Sequence, residues 1–210
     1  MGTFFSRKIF RYRKLSPKSL RQLYRLVRLA SAPRQDSVSI PQELLDQCQV
    51  CASRKLLVSK LTPHGRVAEV GTARGKFART ILEVNNPVEL HLIDLDLSQV
   101  LPNVLSDKRV QPHEGLSYEV LEGFSDAYFD WIYIDADHSY GGVRRDIEAA
   151  ATKVKPSGIL AFDDFCHVDL DLGSYGVQRA VVEFAVEARW PFTWFAIERK
   201  GTYNVAIRRP

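Results

Sequence analysis

The sequence predicts an α/β fold in which a mostly parallel sheet carries helices on both faces and ends in an antiparallel hairpin. Three observations lead there. From Arg66 onward, short apolar runs of strand length alternate with segments of helical spacing, as in repeated βαβ units. Val67-Ala68-Glu69-Val70 runs into a glycine turn, Gly71-Thr72-Ala73-Arg74-Gly75, and then into Phe77, Ala78, Ile81 and Leu82 at helical spacing. At the end, Thr193 to Glu198 and Thr202 to Arg208 flank Arg199-Lys200-Gly201, which reads as two strands about a tight turn. With 210 residues and 45% apolar composition, the chain is long enough for one well-cored domain.

The chain opens with a basic arm. Residues 1–34 hold ten Lys/Arg and no acid, leaving 19 Lys/Arg against 25 Asp/Glu in the remainder. Ser16-Pro17 suits a helix start, and a helix to about Ala30 would gather Leu20, Leu23, Tyr24 and Val27 on one face and Arg21, Arg25 and Arg28 on another. Such a helix fits an anionic membrane surface or nucleic acid. The acid-free start also fits a targeting segment, and Met1-Gly2-Thr3-Phe4-Phe5-Ser6 meets the loose myristoylation pattern. The favoured reading is plainer: the leucines pack on the domain or on a second subunit, the second option giving a homo-oligomer through the N-terminal helices. Peripheral membrane contact and nucleic acid are not favoured. No apolar run approaches a membrane span, and no signal-peptide core is visible.

Residues 32–37 read as a linker. Pro41 is expected to open a second helix through Leu44, Leu45, Cys48, Ala52 and Leu57. Cys48 and Cys51, with only Cys166 besides, lack a second pair for a zinc site and read as small core residues at helical spacing. Three cysteines argue against a disulfide framework, so a reducing, cytoplasmic setting is expected. The division is thus 1–60 as a basic helical extension and 61–210 as the α/β domain. Strands are expected at 66–70, 88–94, 109–113, 130–135 and 158–163, and helices at 75–84, 97–101, 117–122, 140–154 and 177–189.

The glycine turn is where a nucleotide-like ligand would sit, because glycine tolerates positive φ and lets backbone approach a ligand. Its spacing is neither the dinucleotide fingerprint Gly-x-Gly-x-x-Gly nor a phosphate loop ending in Lys-Ser/Thr. Glu69-x-Gly71-x-x-x-Gly75 instead resembles the first motif of class I S-adenosylmethionine-dependent methyltransferases, with Ala73 in the place of the middle glycine. The resemblance implies a Rossmann-like seven-stranded sheet with a terminal antiparallel hairpin. It also implies S-adenosylmethionine held at Glu69, Gly71, Thr72 and Gly75. Asp94 closes the next strand, 25 residues beyond Glu69, where an acid can accept hydrogen bonds from both ribose hydroxyls. Asp96 is its reserve. Ser117 follows the third strand where the family places residues around adenine.

Two further strands end in acids, Ile132-Tyr133-Ile134-Asp135 and Ala161-Phe162-Asp163-Asp164. A parallel sheet delivers them to the edge that carries Gly71 and Asp94. Converging carboxylates raise one another's pKa, and a hard divalent cation, Mg²⁺ or less often Mn²⁺ or Ca²⁺, would relieve this. The competing reading is that some of these acids cap the following helices, above all Asp137.

Asp135, Asp163 and Asp164 stand where catechol-type, metal-dependent O-methyltransferases carry their metal ligands. His138 stands where the related macrolide-sugar enzymes carry a histidine base. The resemblance covers about residues 65–208. It implies that Asp135, beside the cofactor, binds a metal with Asp163 and Asp164, and that the metal acidifies a hydroxyl of a small-molecule acceptor such as a sugar or natural product. His138 would take the proton. Asp164 to Gly176 is read as a loop over this site, with His167 a second base candidate, and Trp190, Trp194 and Phe195 as sheet packing. Two alternatives stay in view. An RNA methyltransferase or other nucleic-acid-binding protein would use the basic arm, although an Asn/Asp-Pro-Pro-Tyr/Phe signature is absent. A dinucleotide-dependent oxidoreductase is disfavoured by the glycine spacing and the hairpin.

Overall fold

A computed structural model describes residues 37–169, 173–198 and 202–210. Along the chain the strands are β1 (Gln49–Cys51), β2 (Arg66–Val70), β3 (Glu89–Asp94), β4 (Val110–Glu114), β5 (Phe129–Ile134), β6 (Val154–Phe162), β7 (Val168–Asp169), β8 (Gly173–Ser174), β9 (Phe192–Ile197) and β10 (Tyr203–Arg208). The helices are α1 (Arg54–Lys60), α2 (Lys76–Val84), α3 (Pro102–Leu105), α4 (Ser117–Glu122), α5 (Tyr140–Ala151) and α6 (Val177–Ala188). Eight strands form one sheet in the order β1-β9-β10-β6-β5-β2-β3-β4. β10 runs antiparallel to both neighbours, β6 and β9, and the other pairs are parallel. This is the expected seven-stranded arrangement with its terminal hairpin, extended at one edge by β1. Residues 35–167 and 175–210 form the unit that carries this sheet. β7 and β8 pair separately as a short antiparallel ladder.

Strand register positions the site. Val70 lies opposite Ile93 and Ile134, and Ile134 opposite Phe162. The next residue of each strand end, Gly71, Asp94, Asp135 and Asp163, therefore falls at one carboxyl edge. Alternation along the strands buries both faces. Ile132, Leu160 and Phe162 pack with Val143, Ile147 and Val181 on one side. Val67, Leu92, Trp131 and Tyr133 pack with Leu57, Phe77 and Ile81 on the other. Helix α2 is short and would not persist alone. Burial of Ile81 and Leu82 stabilises it by roughly 1.5–3 kcal/mol for each side chain.

Two local expectations are corrected. The helix drawn from Pro41 through Leu57 is a 3₁₀ turn (Gln42–Leu44), then β1, then α1. Gln49-Val50-Cys51 pairs in parallel with Trp194-Phe195-Ala196, so sheet pairing overrides the helical spacing. Ser53 then starts α1 by accepting the Leu56 N–H at 3.2 Å. Cys48 and Cys51 are accordingly half-buried rather than core residues, with burial pushing the Cys48 thiol up to about 11. The helix expected at 97–101 is the single turn α3, placed later because Pro102 presets its first residue. Residues 42–60, expected within the extension, thus supply a strand to the sheet and buried Leu57 and Val58 to its core. The helix expected at 16–30 lies outside the described residues. Trp190 packs in the core against Phe184, and Trp194 and Phe195 are half-buried on the sheet, so the packing reading of these aromatics stands.

Candidate active site

The turn after β2 is shaped by how closely it crosses β5. Gly71 has φ +87°, and a Cβ there would overlap the carbonyl of Asp135. Its N–H donates to the Ile93 carbonyl at 2.8 Å, while the Asp135 N–H donates to the Val70 carbonyl at 2.7 Å. Gly75 has φ +69°, caps α2, and donates its N–H to the Thr72 carbonyl at 2.8 Å. Ala73, where the resembled motif has a glycine, also takes a positive φ, +49°. Its N–H donates to Asp94 Oδ2 at 2.7 Å, so the acid of β3 braces the turn.

A cavity of about 340 Å³ opens beside this turn. Of the residues expected to hold a cofactor, Gly71, Asp94, Ser117 and Asp135 line it. Thr72 is buried under the turn, where its hydroxyl faces the Glu69 carbonyl at 3.5 Å. Glu69 is buried on the opposite side of the sheet from Ala68, and one of its carboxyl oxygens, Oε2, has no hydrogen-bond partner among the described residues. Burial, reinforced by the Asp135 charge, raises the Glu69 pKa well above the carboxylate range.

Sequence reading missed several lining residues. Leu95 and Leu116 are 66% and 41% exposed and present apolar surface to the cavity. Asp146, on α5, is only 2% exposed and accepts the Ser117 hydroxyl at 2.5 Å, while its other oxygen has no partner among the described residues. Burial outweighs that hydrogen bond and pushes Asp146 up to about 6. Single apolar residues after strands, and an acid within a helix, give no sequence signal of a cavity wall.

Beside the cavity the three expected metal ligands meet His138 and one unforeseen residue. His138 Nε2 faces Asp135 Oδ1 at 3.3 Å and Asp164 Oδ2 at 4.0 Å, and its ring stacks on Tyr175 with centroids 4.4 Å apart. The ring of His167, the second base candidate, lies 4.9 Å from Tyr175. Asp137 accepts the Ser139 N–H at 2.8 Å and lines the cavity, while the N-cap of α5 is Ser139, not Asp137 as the capping reading expects. Burial raises Asp135 to about 6, against the His138 hydrogen bond and with help from the Asp163 charge. Burial raises Asp164 as well, reinforced by Asp163. For His138 burial opposes the charged form, but Asp135, Asp164 and Asp163 outweigh it and the pKa rises.

The unforeseen residue is Arg54. Its guanidinium donates to Asp163 Oδ2 at 2.5 Å and lies 3.7 Å from Asp135 Oδ2. It also stacks over the Phe77 ring, 4.4 Å from the centroid. Helix α1 delivers it, anchored where the Arg54 N–H donates to Glu198 Oε1 at 2.5 Å. Asp163 Oδ1 meanwhile accepts the Asp164 N–H at 2.9 Å. Both oxygens of Asp163 are therefore engaged by the protein, and of the Asp135 oxygens Oδ1 faces the His138 ring and Oδ2 the Arg54 guanidinium. Among the described residues no group of three His, Cys, Asp or Glu is placed to hold a metal ion. As arranged, the expected Mg²⁺ ligands do not fit a divalent cation.

Comparison with known proteins adds to this geometry. Residues 68–165 match the model of a methyltransferase domain. No curated protein matches the sequence. Among solved structures, an O-methyltransferase from Bacillus cereus in complex with SAH is similar over 93% of each chain, at 20% identity and a TM-score of 0.57. A SAM-dependent methyltransferase from Aquifex aeolicus is similar over 75% of this chain and 88% of its own, at 18% identity and a TM-score of 0.58. A spermidine synthase solved with the transition-state analogue AdoDATO is similar over 75% of this chain, at 14% identity and a TM-score of 0.59. The chain spans 60% of that synthase and 55% of an O-methyltransferase family protein from Burkholderia thailandensis. At these identities the likeness is one of fold, which enzymes of different reactions share. Among the described residues no helix is long and apolar enough to cross a membrane.

Proposed function

We propose that the chain is an S-adenosylmethionine-dependent methyltransferase acting on a hydroxyl of a small molecule such as a sugar or natural product. The observation that carries this is the His138–Asp135 pair at the carboxyl edge, with Asp135 shared between that pair and the wall of the cavity that Gly71 and Asp94 also line. The match of residues 68–165 to a methyltransferase domain supports the transfer class.

The cavity suits S-adenosylmethionine chemically. Asp94 offers a carboxylate to a ribose diol, Leu95 and Leu116 offer apolar surface to a flat base, and the turn has no lysine-serine pair to serve a phosphate. When bound, the cofactor supplies an electrophilic methyl group on its sulfonium. The chain supplies position and a base. An ionised Asp135 accepts a hydrogen bond from His138 Nε2, which leaves Nδ1 with the lone pair that takes the hydroxyl proton. Stacking on Tyr175 fixes the ring plane. The resulting oxygen nucleophile is held for in-line attack, so positioning contributes much of the rate. The carboxylates a divalent metal would use are already met by Arg54, which engages Asp163 and faces Asp135.

Calorimetric titration of S-adenosylhomocysteine, with NAD as control, tests the cofactor. Methyl transfer from labelled S-adenosylmethionine across a panel of hydroxylated acceptors tests the reaction. Binding of NAD in place of S-adenosylhomocysteine would refute the reading.

A further inference from the structure

We infer that Arg54 is the resident cation of this site and takes the place a divalent metal would hold, so that the charge of Asp135 and Asp163 is offset in part without an exchangeable ion. The inference rests on the methyltransferase reading for its bearing on catalysis, but its geometry is independent of it. Asp135, Asp163 and Asp164 gather at the ends of β5 and β6, where uncompensated negative charge would be costly. Arg54 meets two of them, at 2.5 Å from Asp163 and 3.7 Å from Asp135. His138 serves Asp135 from the other side and approaches Asp164.

A guanidinium has five donors and no lone pair, and it keeps its proton at any pH the protein tolerates. It cannot itself ligate a metal, and its charge repels an incoming cation. A cation that takes the Asp163 oxygen it holds must displace it. Displacement is resisted by three attachments: the Asp163 ion pair, the stack on Phe77, and the short α1 whose first N–H is tied to Glu198. Arg54 therefore acts as a positioning residue. It holds Asp135 and Asp163 in place, and through Asp135 it keeps the orientation of His138. Methyl transfer at this site proceeds in the absence of divalent metal.

The test is titration of Mn²⁺, as chloride and with no other ligand, into the full chain by calorimetry and by the loss of free-ion EPR signal. Wild type and Arg54→Lys are expected to bind Mn²⁺ no tighter than millimolar. Arg54→Ala is expected to bind it at least tenfold tighter, and Arg54→Ala/Asp163→Ala to lose that gain. A purely structural role for Arg54 gives no such gain. Micromolar Mn²⁺ binding by wild type that disappears in Asp163→Ala would overturn the inference, and this needs no folded Arg54 variant. So would a folded Arg54→Ala that gains nothing. Should Arg54→Ala fail to fold, Arg54→Met keeps the apolar stem and carries the same expectation. S-adenosylhomocysteine is titrated into wild type in EDTA as a separate arm. If it fails to bind while the Mn²⁺ results hold, the cofactor reading falls and the charge assignment stands.

Discussion

Replacing Gly71 by alanine puts a methyl group into the carbonyl of Asp135 and leaves an L-residue at φ +87°. The left-handed backbone alone costs about 1–2 kcal/mol. Relief of the overlap requires the turn to move away from β5, which breaks one of two buried backbone hydrogen bonds, Gly71 N–H to Ile93 or Asp135 N–H to Val70. A buried group left unpaired costs about 1–3 kcal/mol. Together the loss is about 2–5 kcal/mol, which for a chain of this size lowers the melting temperature by roughly 4–20 °C. The same movement displaces Asp135 from the cavity wall, so affinity for S-adenosylhomocysteine should fall at least tenfold. Thermal unfolding by circular dichroism and calorimetric titration read the two effects. A variant melting within about 2 °C of wild type with unchanged affinity would refute the argument that close approach, rather than chance, selects glycine there.

Asp146→Asn tests the buried acid behind Ser117. Its folded pKa of about 6 lies above the ordinary carboxylate value, so its contribution to stability is present below about pH 4 and lost as pH rises through 6. Asparagine cannot titrate, so its stability relative to wild type should rise by on the order of 3 kcal/mol between pH 4 and 7, measured by urea unfolding; a pH-independent difference would show that Asp146 ionises freely. Histidine titrations followed by NMR should separate into two directions. His138 should titrate above about 6.5, raised by its carboxylates against the effect of burial. His91 and His113 should titrate below it, both lowered chiefly by burial and paired with each other at 2.9 Å; the reverse order would contradict the described environments. His138→Ala should lose about 10²–10⁴-fold in turnover while S-adenosylhomocysteine binding stays within a few-fold, and wild-type turnover should rise with pH through the raised histidine pKa. Full activity in the variant would remove His138 from the mechanism.

By itself the sequence determined what local pattern can determine. The strand, glycine turn and helix from Val67 to Leu82 are legible because side-chain period and backbone freedom act over a few residues. So are the acids at strand ends, since a parallel sheet sends every such end to one edge. Asp94 is placed beside the cavity by that logic and Ser117 only by the family resemblance, and the edge also gathers Asp135, Asp163, Asp164 and His138. Only the tertiary structure decided how those charges are balanced. Arg54 lies 109 residues from Asp163 in the chain, and it reaches the site because β1 pairs with β9 and α1 follows it onto the sheet. The helical spacing around Cys48 concealed both elements. A divalent ion and a guanidinium answer the same excess of negative charge, and the carboxylates alone carry no signal that distinguishes them. Which one neutralises the site depends on whether a distant cation can reach it, and that is settled by the path of the folded chain.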